Sequence, residues 1–265
     1  MNKDPIGILD SGVGGLTVWR ELVDIMPQEN YLYFGDSGFC PYGSKSPAVI
    51  LDRVLTIVDF LLDSGCKIIV IACNAITAST VDYLRRNYTI PFIGMEPAIK
   101  PALLSTRTKA VGVLATERTL SGKLFCNTKS RYGSGITIVE QAGNGLVEQV
   151  EKMDFDGRTT MNILRGYLAP MLDQNIDTLV LGCTHYPFLI PSIRQIVGSD
   201  VSIIHPAPAV ARQTLCILGK WELSNRPSEE TSGQSKFLTT GATTNMHHIL
   251  SRIQLPYYAV ESVSI

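Results

Sequence analysis

The chain carries few charges of either sign: Asp, Glu, Lys and Arg make up 18% of its 265 residues, against about 25% in typical soluble domains. Twenty-three basic residues face 24 acidic ones, for a net charge of −1. No run of Lys and Arg is present, which excludes recognition of a nucleic-acid backbone through a basic stripe. No stretch approaches the ~18–20 uninterrupted apolar residues of a membrane span. The N-terminus, Met1-Asn2-Lys3-Asp4-Pro5, lacks the layout of a signal peptide. The six cysteines, at 40, 66, 73, 126, 183 and 216, are scattered and have no paired spacing of the kind that marks a zinc ligand set. These absences predict a cytoplasmic protein with free thiols, no metal and neither nucleic acid nor membrane as a partner.

What the chain does have is apolar residues, 45% of the total, dealt out in short runs. Ile6–Leu9, Tyr31–Phe34, Lys67–Ile71, Phe92–Gly94, Ala110–Leu114, Ile136–Val139, Thr178–Leu181, Ser202–Ile204 and Lys236–Thr239 read as strands. Their near-continuous apolar character predicts strands buried on both faces, as in parallel sheets. Helical patterns lie between them. Ser46-Pro47 offers an N-cap and a first-turn proline for a helix ending near Gly65, with Ile50, Leu51, Val54, Leu55, Val58, Leu61 and Leu62 on one face. The alternation predicts an α/β fold of two doubly wound lobes. Proline-bearing stretches at Gly94–Pro101 and His205–Pro208 read as the crossings, giving one lobe from residues 1–97 and 208–265 and another from 98–207. The polar segment Glu222–Gln234 reads as an exposed loop.

One pair of segments echoes the other. Lys67-Ile68-Ile69-Val70-Ile71-Ala72-Cys73-Asn74 and Asp177-Thr178-Leu179-Val180-Leu181-Gly182-Cys183-Thr184 are each a buried strand, a small residue, a cysteine, a polar residue and then a helix. Ligands of open α/β sheets bind at the carboxyl ends of strands beside helix N-termini, where a thiolate is favoured. A single cysteine there is more often a small buried hydrophobe than a reactive group. Two at equivalent strand ends of two lobes change that balance: if the lobes face each other, the thiols flank one cleft from opposite sides, as the acid/base pair that inversion at a carbon requires. The loop Asp10-Ser11-Gly12-Val13-Gly14-Gly15 follows the first strand, and its glycines would let backbone N–H groups approach an anion. It is also part of a dinucleotide signature, with Asp36 as the ribose-binding acid, but Thr17 stands where the third glycine belongs.

Taken in order, Asp10-Ser11-Gly12-Val13-Gly14-Gly15-Leu16, Gly35-Asp36 with Pro41-Tyr42-Gly43, Ala72-Cys73-Asn74, Glu96-Pro97-Ala98, Gly112-Val113-Leu114-Ala115-Thr116 and Leu181-Gly182-Cys183-Thr184-His185-Tyr186-Pro187 closely resemble the aspartate/glutamate racemase family. The resemblance runs from about Ile6 to the final strand, and the histidine at 185 favours the glutamate branch. It implies two pseudo-symmetric lobes with the active site between them and a cofactor-independent, two-thiol interconversion of L- and D-glutamate. The D-glutamate would supply bacterial peptidoglycan, and with it cell shape. By that likeness Cys73 takes the α-proton of D-glutamate and Cys183 that of L-glutamate. Asp10 and His185 assist the thiols, and Asp36 and Glu151 are further acid/base candidates, with Glu148 one helical turn from Glu151. Asp10, Ser11, Tyr42, Gly43, Asn74, Ala75, Thr116, Thr184 and His185 match substrate-contacting positions. A homodimer and activation by a peptidoglycan precursor occur in the family and stay open for this chain.

Two positions depart from the family pattern. Ala75 stands where threonine is usual, with Thr77 two residues on, and His205-Pro206-Ala207 replaces a commonly acidic stretch. Cys40, Cys66, Cys126 and Cys216 read as structural, and His247-His248 as surface residues of a helix. Glu96 reads as shaping the crossing. An oxidoreductase would need a bound dinucleotide, and a non-catalytic amino-acid-binding protein would not need two cysteines at strand ends.

Overall fold

The computed structural model describes residues 4–225, 232–252 and 258–265. Its strands are β1 (Ile6–Asp10), β2 (Tyr31–Gly35), β3 (Ile68–Ile71), β4 (Phe92–Ile93), β5 (Ala110–Ala115), β6 (Thr137–Ala142), β7 (Thr178–Gly182), β8 (Ser202–Ile204), β9 (Ser235–Thr239) and β10 (Ala259–Ser262). They form a six-stranded sheet in the order β10-β9-β2-β1-β3-β4 and a four-stranded sheet in the order β6-β5-β7-β8. Every pairing is parallel.

The chain divides into two compact units, Met1–Met95 with Ala207–Ile265, and Glu96–Pro206. Both divisions fall inside the proline-bearing stretches, after Met95 and Pro206 where the sequence suggested Pro97 and Ala207. Each unit has its own sheet, and the two sheets share a plan. β1 lies between β2 and β3, and β5 lies between β6 and β7. In each case the chain adds a strand on one side of the first strand and then crosses to the other side. That reversal opens a crevice at the carboxyl ends of the two strands that flank it, β1 and β3 in one sheet, β5 and β7 in the other.

Burial follows position in the sheet. β1, β2, β3, β5 and β7 are buried along their whole length, as expected of strands covered by helices on both faces. The edge strands β6 and β8 keep exposed positions. β10, Ala-Val-Glu-Ser, is an edge strand with mostly exposed residues, and no apolar run announced it. The helix Pro47–Asp63 is capped by Ser46, whose hydroxyl accepts the Val49 N–H. It buries Ile50, Val54, Ile57, Val58 and Leu61. Ile57 joins that face unexpectedly, whereas Leu51, Leu55 and Leu62 are only partly covered. Of the polar segment Glu222–Gln234, residues 226–231 lie outside the described residues.

Candidate active site

In the first unit, β1 delivers Asp10 and Ser11 and the adjacent β3 delivers Cys73, all three buried. Cys73 has extended backbone (φ −140°, ψ 123°) and is the N-cap of the helix Asn74–Asn87, so its sulfur sits at the positive end of a helix dipole. Its thiol lies 3.6 Å from the Ser11 hydroxyl. Asn74 is 3% exposed, yet neither its amide oxygen nor its amide nitrogen has a hydrogen-bond partner. A buried amide left this way costs on the order of 1–3 kcal/mol and is the expected state of a group that waits for a ligand.

The glycine-rich loop serves Asp10. The Gly12 N–H donates to Asp10 Oδ1 at 2.8 Å, which fixes the carboxylate. A Cβ on Gly15 would stand 2.6 Å from Asp10 Cβ, so only glycine lets the next helix start against Asp10. The loop is built around the aspartate.

Asp36 follows β2 and is fully buried. Its Oδ2 accepts from Tyr42 Oη (2.6 Å) and Arg53 Nε (2.9 Å). Its Oδ1 accepts from Arg53 Nη2 (2.8 Å) and Thr240 Oγ1 (2.6 Å). Burial pushes the carboxyl pKa up, but the bonds from Arg53, Thr240 and Tyr42 outweigh it and hold the group below the usual carboxylate range. The arrangement makes Asp36 an anchor for Tyr42. Burial and the nearby Asp36 and Cys73 push the Tyr42 phenol pKa up, so the hydroxyl stays protonated and donates to Asp36. Gly43 follows it in the same turn, half-buried. Ala75 is buried in the first turn of the Cys73 helix. Thr77 does not stand in for the absent hydroxyl: it donates to Ile71 O and accepts the Met95 N–H.

In the second unit, Thr116 follows β5 and Cys183 follows the neighbouring β7. Cys183, Thr184 and His185 are all buried. Cys183 Sγ lies 3.8 Å from His185 Nδ1, and His185 Nε2 lies 2.7 Å from Glu151 Oε1. Glu151 ends the helix Leu146–Glu151, while Glu148 is exposed, so the carboxylate on the histidine is Glu151. When Nε2 carries the proton shared with Glu151, Nδ1 is the lone-pair nitrogen that can accept the Cys183 proton. The Thr116 hydroxyl is engaged in capping, accepting the Thr119 N–H at 3.3 Å and meeting Thr119 Oγ1 at 2.9 Å.

Several contributors were not picked out from the sequence. Arg53 and Thr240 grip Asp36, and Tyr186 donates to Gly143 O at 3.1 Å, tying the loop before the Glu151 helix to the segment after Cys183. Of the remaining cysteines, Cys66 is buried, and burial pushes its thiol pKa up to about 12. Cys126 and Cys216 are exposed, so they are surface thiols and not core residues. His247 and His248 are exposed on the helix Thr243–Arg252.

Matching strand-end thiols in two α/β sheets, one of them backed by a histidine and a carboxylate, are the equipment of an acid/base catalyst. Residues 6–214 match the model of the Asp/Glu/hydantoin racemase family, and the chain belongs to that family. A protein of Roseiflexus sp. (strain RS-1) named glutamate racemase is 44% identical to it over 98% of this chain and 96% of its own length. The crystal structure of a glutamate racemase isoform from Bacillus anthracis superposes with a TM-score of 0.88 at 32% identity, covering 100% of this chain and 99% of the other. That of Escherichia coli glutamate racemase, in complex with L-glutamate and the activator UDP-MurNAc-ala, gives 0.84 at 28% identity, covering 98% of each chain. Among the described residues no helix is long and apolar enough to cross a membrane.

Proposed function

We propose that the chain interconverts L- and D-glutamate without a cofactor, with Cys73 and Cys183 as the acid/base pair. The observation that carries this reading is the repetition: a buried cysteine stands within two residues of the end of the strand at the crevice of each sheet, next to the residues just described. Relatives named glutamate racemase, one of them solved with L-glutamate bound, support the choice of substrate. In one direction the Cys183 thiolate takes the α-proton of L-glutamate and becomes a thiol, leaving a carbanion at Cα. The Cys73 thiol then gives its proton to the opposite face, yielding D-glutamate and a Cys73 thiolate. The reverse direction exchanges the roles.

His185 accepts the Cys183 proton at Nδ1, and Glu151 stabilises the imidazolium formed. Asp10 serves the Cys73 side. Ser11, Tyr42, Gly43, Asn74, Ala75, Thr116 and Thr184 contact substrate, with the orphaned Asn74 amide pairing with a glutamate carboxylate. D-Glutamate made in the cytoplasm would feed peptidoglycan synthesis. Homodimerisation and activation by a peptidoglycan precursor are part of the same reading, tested by solution mass and by rate measurements with and without UDP-MurNAc-Ala.

The central test is chiral chromatography of L-glutamate incubated with the protein after dialysis against a chelator and hydroxylamine treatment. Full racemisation is expected, with aspartate a poor substrate because one methylene less misplaces the distal carboxylate. A requirement for pyridoxal phosphate or a metal would overturn the two-thiol reading. Cys73→Ala and Cys183→Ala should each lose racemisation by roughly several orders of magnitude. In D₂O, residual α-exchange should favour L-glutamate in C73A and D-glutamate in C183A. The same preference in both variants would sink the assignment of one thiol to each face.

A further inference from the structure

We infer that Arg53 is a positioning residue of the Cys73 half of the site: it clamps Asp36 so that Tyr42 is held beside the thiol with its hydroxyl donated away from the sulfur. This deepens the reading above and rests on it.

The geometry is a convergence on one side chain. Arg53 stands on the helix Pro47–Asp63, and its guanidinium makes a two-pronged pair with Asp36 through Nε and Nη2. Its third nitrogen, Nη1, donates to the Ile265 carbonyl oxygen at 2.8 Å. Its Cζ lies 5.7 Å from the Phe39 ring centroid, and the Phe39 ring meets Tyr42 edge-on at 5.4 Å. Tyr42 therefore has two supports, a hydrogen bond to Asp36 and an aromatic contact with Phe39; Arg53 holds the first directly, and the Phe39 ring carries Lys45 Nζ at 4.4 Å as well as Arg53. A lysine would keep the charge but not the fork.

The chemistry follows from which way the phenol points. A phenol has one proton, and here an ionised, buried Asp36 takes it. Tyr42 oxygen is then left as an acceptor, and Cys73 keeps Ser11 as its near polar neighbour. Without Arg53, only the Thr240 and Tyr42 bonds would oppose burial at Asp36, and the carboxyl would hold a proton at higher pH. The groups facing Asp36 are Arg53 on its helix, Tyr42 on the loop, Thr240 after β9 and Asp10 at the end of β1, whose carbonyl accepts the Asp36 N–H. Among the described residues bonded to Asp36, Arg53 is the only cation. A protonated Asp36 no longer requires the Tyr42 proton, and the phenol is released to turn.

The test measures kcat and KM for glutamate across pH in R53M, R53K, D36N/R53M, Y42F and R53M/Y42F, at a temperature where circular dichroism shows each variant folded. R53M is expected to lose about 10–100-fold in kcat/KM, the scale of a misplaced group near the chemistry. Its acid limb should move to higher pH, and R53K should recover part of the loss. D36N/R53M should lose the shift of the acid limb, because no carboxyl remains to titrate. R53M and Y42F effects should not multiply in the double variant. An R53M profile with unchanged kcat/KM and acid limb overturns the inference, and so does a shifted limb that persists in D36N/R53M. Were R53M not to fold, R53K alone decides, by a raised acid limb or an unmoved one. Failure of the underlying reading is seen separately: C73A would then keep racemising, whatever Arg53 does.

Discussion

At the residue scale the two thiols are supplied differently. Cys183 has a histidine within reach and a carboxylate behind it; Cys73 has a helix N-terminus, a serine hydroxyl and a buried aspartate nearby. Glu151→Gln preserves the shape and a hydrogen bond to His185 but removes the charge that favours the imidazolium. The expected result is a fall in kcat/KM of about 10–100-fold, the usual scale for an orienting partner of a histidine. Because L- and D-glutamate have equal free energies, kcat/KM must fall equally in both directions. The asymmetry is to be sought in isotope exchange: with Cys183 impaired, α-exchange into L-glutamate should slow more than into D-glutamate. Equal slowing would remove Glu151 from the Cys183 side.

Ala75 is the other residue-scale question. With Thr77 bound to main chain on both sides, no hydroxyl in that turn substitutes for the threonine usual in the family. Ala75→Thr should lower KM and leave kcat nearly unchanged, with the gain limited to the roughly 1.5–3 kcal/mol of a hydrogen bond to a charged group. An unchanged KM would mean that the backbone and Asn74 already satisfy the substrate.

At the element scale, the loop ends decide more than the strands do. Asp177, just before β7, receives the Thr106 hydroxyl and the N–H groups of Arg107 and Thr108 from the turn before β5. Burial pushes its pKa up, but these bonds and the Thr178 hydroxyl prevail and hold it at about 2, below the ordinary value of 3.8. A depressed carboxyl stabilises the fold above its unfolded pKa, and the contribution is lost as pH falls through the folded value. Asp177→Asn should therefore lower the Tm at neutral pH, with the gap to the parent closing between about pH 5 and pH 2. Melting curves over that range check it; a gap independent of pH would mean that only packing is lost. Gly143→Ala makes a second element-scale prediction. Its Cβ would fall 2.3 Å from Tyr186 Oη, so the loop leading to the Glu151 helix must shift, and activity should fall even where the melting temperature is kept. Activity equal to the parent would show that the loop moves without disturbing Glu151.

For the whole molecule, legibility tracked burial. Nine strands were visible in the sequence because central parallel strands are continuous apolar runs, and both divisions of the chain fell within stretches where proline interrupts the pattern. β10 escaped because an edge strand has little to bury. The two cysteines, Asp10 and His185 were legible as motifs at strand ends. Arg53 and Thr240 were not, because their part in the site depends on segments distant in sequence meeting at Asp36, which no local period encodes. The glycines of the first loop were legible only as glycines; that they make room for Asp10 is a matter of tertiary contact.

The same long-range logic closes the first unit, whose chain is discontinuous. The buried Lys67 Nζ lies 2.7 Å from Glu29 Oε2 and donates to Asn225 Oδ1 at 3.0 Å. The Asn225 N–H in turn donates to Glu29 Oε1 at 2.7 Å. One ion pair thus ties a residue near the end of the chain to the segments before β2 and β3, far from the thiols. Removing one partner of a buried pair leaves an uncompensated charge and costs about 3–5 kcal/mol, whereas replacing both with apolar residues is often neutral or stabilising. Lys67→Met should lower stability to denaturant by that amount while leaving kcat and KM of the folded fraction unchanged. Glu29→Leu with Lys67→Met should recover most of the loss but not all of it, since the Asn225 N–H loses its acceptor. Equal destabilisation in the single and double variants would show that stability there depends on packing around the lysine stem and not on the buried charge.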